Sequence, residues 1–161
     1  VLVPKDRIVG EPGNGWQQVT SELAYERSGP ERFLSSFRVF VELVRICGDD
    51  PSPHQAAAIG RIAAHFMTLR RMSLSVAGML EAGKDVSVEA ALVKELGNNF
   101  EKLLPEIARL VVPDLSAVDP DKQRLFRETF EETLMLSPSF TLRGGTREIM
   151  RGVIARGLGL R

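Results

Sequence analysis

The sequence holds one cysteine, Cys47, so no disulfide can form within the chain, and a reducing, cytoplasmic compartment is the natural expectation. Its two histidines, His54 and His65, have no cysteine or carboxylate at ligand spacing, which excludes an ordinary zinc site; no metal is expected. Neither sign of charge is in excess: 21 basic residues face 21 acidic ones, so nothing favours nucleic acid as a partner. No apolar run approaches the roughly 20 residues of a membrane span. The dinucleotide glycine fingerprint, the P-loop and the serine-hydrolase elbow are all missing, as are repeats and low-complexity stretches. The first residues, Val1-Leu2-Val3-Pro4-Lys5-Asp6, offer neither an initiator methionine nor a signal-peptide core, as expected of a fragment or a processed product.

What remains is an ordinary globular composition, 43% hydrophobic and 26% charged, in 161 residues, enough for one domain with a real core. Residues 1–15 stand apart. Val1-Leu2-Val3-Pro4 and Arg7-Ile8-Val9-Gly10 read as short extended pieces before the turn-rich Glu11-Pro12-Gly13-Asn14-Gly15. Helical periodicity then takes over through residues 16–161.

A first helix is expected from Trp16 to Cys47, bent at Gly29-Pro30, with Val19, Leu23, Phe33, Phe37, Phe40 and Val44 on one apolar face. A second runs from Ser52 or Pro53 to Ala82. A third runs from an N-cap at Ser87 to Val111, kinked at Pro105, and a fourth from Asp121 to Leu136. A short last helix spans Thr146 to Ala155. Helices joined by short loops describe an all-α, antiparallel four-helix bundle behind a short extended N-terminal segment.

One position breaks the pattern of the first helix. Stepping down its apolar stripe places Glu26 where a core residue belongs. A buried carboxylate needs a partner or a purpose. It is either half of an ion pair, or an acid reaching solvent at the bend, or a catalytic base in a cleft where desolvation strengthens it; pattern alone favours the blander readings. Arg27 points about 100° away around the helix and is not placed to neutralise it.

Arg143-Gly144-Gly145-Thr146 sets two glycines before a helix N-terminus, where a ligand can approach backbone and phosphate finds unpaired N–H groups. The same residues also make a plain capped turn. Arg147, Arg151 and Arg156 read as the solvated face of that last helix. Cys47 reads as a structural thiol, and Met67, Met72 and Met79 as core filler.

The order of these features resembles the acyl-CoA dehydrogenase family. Val3-Pro4 through Ile8-Val9-Gly10 to Gly15-Trp16 is similar to the passage from that family's β-domain into its C-terminal helical domain. Leu23-x-x-Glu26-Arg27 resembles the first-helix motif there. Gly144-Gly145-Thr146-x-Glu148-Ile149, continued by Ile154-Ala155 and Leu158-Gly159-Leu160, resembles the closing signature. On this resemblance residues 1–15 are a remnant of the β-domain and residues 16–161 the C-terminal bundle.

The resemblance implies α,β-dehydrogenation of an acyl-CoA thioester by an FAD-dependent oxidoreductase of lipid metabolism. A carboxylate takes the α-proton while the β-hydrogen leaves as hydride to the flavin. Most members carry that base just before the Gly-Thr of the closing signature, where this chain has Gly144. A minority, like isovaleryl-CoA dehydrogenase and the long-chain branch, carry it on the first helix of this domain, which implies Glu26 as catalytic residue. It further implies that Ala24, Tyr25, Arg27 and Gly145 bind substrate and that Thr146, Arg147 and Glu148 approach FAD.

The family's Arg-x-x-Phe-Gly and Gln-x-x-Gly-Gly flavin segments are not found, and Leu158-Gly159-Leu160-Arg161 lacks the usual proline. These departures resemble divergent actinobacterial-type members, some of which work with a related subunit. The implied partners are an acyl-CoA substrate, an acceptor of the electron-transfer-flavoprotein type, and copies of the chain in a dimer or tetramer, or a heteromer. The isolated chain is expected to be inert and not to retain FAD. The alternative is a non-catalytic helical oligomerisation or interaction module of the same fold.

Overall fold

In the computed structural model, which describes residues 1–160, the chain folds into seven α-helices. They are α1 (Gly15–Ser28), α2 (Glu31–Leu34), α3 (Phe37–Cys47), α4 (Pro53–Glu81), α5 (Ser87–Val111), α6 (Pro120–Leu136) and α7 (Arg147–Gly157). Short 3₁₀ segments cover Lys5–Arg7, Leu115–Ala117 and Ser137–Leu142. The all-α fold matches expectation, and no strand occurs among the described residues, so the extended pieces before Gly15 pair with nothing. Arg161, the end of the domain expected over 16–161, lies outside the described residues.

The helix starts follow from local chemistry. The Ser52 hydroxyl accepts from the Gln55 N–H, and the Gln55 side chain accepts from the Ser52 N–H, with Pro53 in the first turn. At α6 the Asp119 carboxylate accepts from the N–H groups of Asp121 and Lys122, again with proline first. For α5 the expectation of Ser87 as N-cap is corrected. Ser87 is already helical, and its N–H and hydroxyl both donate to Asp85, at 3.0 and 2.6 Å, because the carboxylate is the stronger acceptor. Pro105 sits within α5 without ending it.

The single first helix is also corrected. Pro30 has no N–H to donate, the chain leaves helical geometry at Gly29 (ψ 161°), and α1, α2 and α3 form as separate segments. Their phases are therefore independent. The stripe drawn through all three does not exist: Val19, Phe37 and Val44 are exposed, while α3 buries Val39, Glu42, Leu43 and Ile46.

Helix α5 is the hub, in contact with α1, α2, α3, α4, α6 and α7. The main core joins Phe33, Val39, Leu43 and Ile46 to Ile62, Phe66 and Leu69 of α4, to Phe100 and Leu104 of α5 and to Phe126 of α6. Phe66 sits edge-on to both Phe37 and Phe100, at 5.1 and 4.7 Å between centroids. A smaller cluster of Val76, Val86, Ala90 and Val93 receives Ala24, Met72 and Met79. Met67, by contrast, is exposed rather than core filler. The Cys47 thiol packs against the main core, and burial raises its pKa, as suits a structural cysteine.

Candidate active site between helices α1 and α5 and the glycine pair

The segment 140–145 lies along a polar stripe of α5 made by Lys94, Asn98 and Glu101. These three share one face of the helix, four and three residues apart, and all are fully buried. Lys94 Nζ donates to the Thr141 carbonyl at 3.4 Å. Asn98, its amide turned so that both ends are satisfied, donates to the Phe140 carbonyl at 3.2 Å and accepts from Lys94 Nζ at 2.7 Å. Arg143 donates to Glu101 at 3.0 Å and to the Ser35 hydroxyl at 2.9 Å, and lies 4.4 Å over the Phe140 ring.

This bed presents Gly144 and Gly145 to the C-terminal end of α1. Both glycines have positive φ, 67° and 103°, which a side chain would strain. Arg27 Nε donates to the Gly144 carbonyl at 3.1 Å. A Cβ on Gly144 would lie 3.2 Å from Glu26 Oε1 and 3.3 Å from Lys94 Cε. Glu26, half-buried, therefore projects into the space that a side chain at position 144 would take. Arg32, fully buried, donates to the Glu26 carbonyl at 2.7 Å and meets its carboxylate at 3.5 Å.

Cations dominate this corner: Arg27, Arg32, Lys94 and Arg143 surround Glu26 and Glu101. Burial, reinforced by the charges of Arg32, Arg143 and Arg27, lowers the Lys94 pKa from 10.5 to about 8, against the pull of Glu26. Burial raises the Glu101 carboxyl, against the pull of Arg143.

The remaining site candidates fall in different places. Ala24 packs inward against the small cluster beside α4 and α5. Tyr25, largely exposed, lines a hollow of about 360 Å³ with Ser73, Ala77 and Leu80 of α4. Neither meets Glu26. Gly145 lies beside Arg27 and Met150, at 4.0 and 3.0 Å from the Cβ it lacks. Thr146 precedes α7 with no cap bond from its side chain, and Glu148 is exposed in the first turn. Arg147 is corrected from a solvated residue to a partly buried partner of Glu95 on α5, at 3.0 Å; Arg151 and Arg156 are exposed as expected, though Arg151 also reaches Glu95, at 3.2 Å. Burial alone would raise the Glu95 carboxyl, but Arg147, Asn99 and Arg151 outweigh it and hold it below the usual range.

Arg32, Lys94, Asn98, Glu101 and Arg143 were not singled out by sequence. A signal existed for three of them. Val93, Phe100 and Leu104 fix the buried face of α5, and Lys94, Asn98 and Glu101 fall beside them in the same helical register. Among the described residues no cluster of metal-ligating side chains occurs, and no helix is long and apolar enough to cross a membrane.

Over nearly its whole length this chain is similar to acyl-CoA dehydrogenases, and its fold matches their C-terminal helical domain. No family model matches the chain. Among curated proteins it is 30% identical to the acyl-CoA dehydrogenase IpdE1 of Mycobacterium tuberculosis, over 96% of this chain and 40% of that protein. It is 29% identical to the acyl-CoA dehydrogenase FadE29 of the same organism, over 96% of this chain and 42% of the relative. The chain thus spans about two-fifths of the length of the curated relatives it matches. A solved glutaryl-coenzyme A dehydrogenase in complex with glutaryl-CoA shares the fold, with a TM-score of 0.72 and 17% identity, over 99% of this chain and 42% of that one.

Proposed function

We propose that this chain is the C-terminal helical part of an FAD-dependent acyl-CoA dehydrogenase in which Glu26 is the base. The observation that carries this is the approach of Glu26 Oε1 to the empty Cβ position of Gly144. A carboxylate from α1 and one from position 144 would enter the same space, so with glycine at 144 that place is served from α1. Glu26 takes the α-proton of the thioester; Arg27, fixed to the Gly144 carbonyl, keeps helix and loop in register around it. When bound, FAD supplies the acceptor for the β-hydride. On this side Thr146 and the N-terminus of α7 face where a phosphate could lie, but the Glu148 carboxylate, whose pKa is lowered by its own N–H and the Thr146 hydroxyl, already engages both. Arg147 does not add to them, being held by Glu95, so the fit to FAD is partial.

Residues 1–15 are read as the end of a β-domain. Val1, Leu2 and Val9 are almost wholly exposed, as apolar residues whose packing partners lie elsewhere in a larger protein would be. We accordingly expect the chain alone to be inert and to keep no flavin through gel filtration. The full-length protein is expected to carry FAD and to be bleached by at least one of butyryl-, octanoyl-, palmitoyl- and isobutyryl-CoA. A flavin-free full-length protein that none of these alters would refute the reading.

The oligomerisation reading has its own support. Leu96 and Leu103 of α5 are half exposed beside Met72 on a shallow groove of about 410 Å³ between α4 and α5, and Met67 and Leu110 stand out further. The chain is expected to sediment as a dimer or larger; a strict monomer at assay concentration counts against self-association through this domain.

A further inference from the structure

Arg32 is among the largest fully buried side chains in the molecule. Its backbone reaches that depth because α5 has glycine opposite: a Cβ on Gly97 would stand 2.2 Å from the Arg32 carbonyl oxygen. From this anchor the side chain turns back toward α1. Nε donates to the Glu26 main-chain carbonyl at 2.7 Å, one of the unpaired carbonyls at the helix end. The terminal nitrogens reach the Glu26 carboxylate and the Arg143 carbonyl, each at 3.5 Å, and Glu31 at 3.3 Å.

One rigid, planar fork thus holds both the backbone and the carboxylate of the same glutamate, and also the residue that precedes Gly144. A lysine, with a single point of donation, cannot span these sites. We propose that Arg32 is a positioning residue that, by holding a free carbonyl in the last turn of α1, aims the Glu26 carboxylate at the gap over Gly144. The carboxylate contact is long, so the aim comes chiefly from the short bond to the main chain. This inference rests on Glu26 being the base.

The test uses the full-length protein with FAD bound, and the best substrate of butyryl-, octanoyl-, palmitoyl- and isobutyryl-CoA. Arg32→Lys is expected to lower kcat by roughly tenfold to hundredfold with KM changed by less than about twofold, because misaiming costs rate rather than ground-state binding. In a Glu26→Gln background the same change is expected to cost nothing further, since the residue it acts through is already disabled. Unchanged kcat, a rise in KM alone, or an equal loss in both backgrounds overturns the proposal. Full turnover by Glu26→Gln itself would instead overturn the assignment of the base. Because Arg32→Lys can fail to fold, a crystal structure of the unsubstituted holoprotein provides the second arm. A guanidinium held on both the carbonyl and the carboxylate of Glu26 supports the proposal; one turned to Glu31 alone overturns it.

Discussion

Glu26→Gln is expected to lower kcat of the full-length protein by roughly a thousandfold while leaving acyl-CoA affinity nearly intact. Glutamine keeps the shape of the side chain and can still accept the contact from Arg32, but its amide cannot take up a proton. The neighbourhood offers no substitute. Gly144 has no side chain, Glu101 is fully buried against Arg143, and Glu95 is held by Arg147 and Arg151. Glu148 is exposed in the first turn of α7, where its own N–H and the Thr146 hydroxyl engage its carboxylate. Rapid-mixing measurement of flavin bleaching, with an independent binding titration, separates the two quantities. Bleaching at the unsubstituted rate would remove Glu26 from the reaction. A parallel loss of affinity and rate would make it a binding residue instead.

Much of the fold was legible because its signals are local. Ser52-Pro53 with Gln55, and Asp119-Pro120, start α4 and α6 by chemistry confined to a few residues. Where a signal had to travel through a break it failed. The apolar stripe that drew attention to Glu26 assumed one helical phase from Val19 to Val44, and Gly29-Pro30 destroys that phase. Glu26 is a half-buried acid at a helix end, not an acid in a hydrophobic stripe. What sets it apart in the folded chain is its approach to Gly144, a contact made across most of the sequence and absent from any periodicity. Arg147 was misread for a related reason, since its partner Glu95 lies on another helix. A charge on a short terminal helix looks solvated until the neighbouring helix is in place. The resemblance of the glycine-pair segment to a closing signature supplied what periodicity could not: it brought position 144 and the first helix into one question.

Stability is expected to rise between about pH 8 and 10.5 by an amount that Lys94→Met abolishes. The folded chain holds Lys94 beneath segment 140–145 with no exposure, and lowers its pKa from 10.5 to about 8. Below pH 8 the lysine is charged in both states, and burial penalises the folded one. Between the two values the unfolded chain binds more protons than the folded chain, so each rise in pH favours folding; above 10.5 the gain is complete. The full difference corresponds to about 3 kcal/mol. The comparison with Lys94→Met isolates this group from Cys47, whose raised pKa works in the opposite direction at high pH. Urea unfolding at steps of pH, with both proteins side by side, reads the difference directly. A constant difference would show Lys94 to titrate normally, which would mean water reaches it. A difference that grows with pH would establish a dry cationic bed beneath the glycine pair, where the charges of Arg27, Arg32 and Arg143 repel the lysine and that of Glu26 attracts it. In that setting the same neighbours that discharge Lys94 hold a negative charge near Gly144, where an acyl thioester would lose its α-proton.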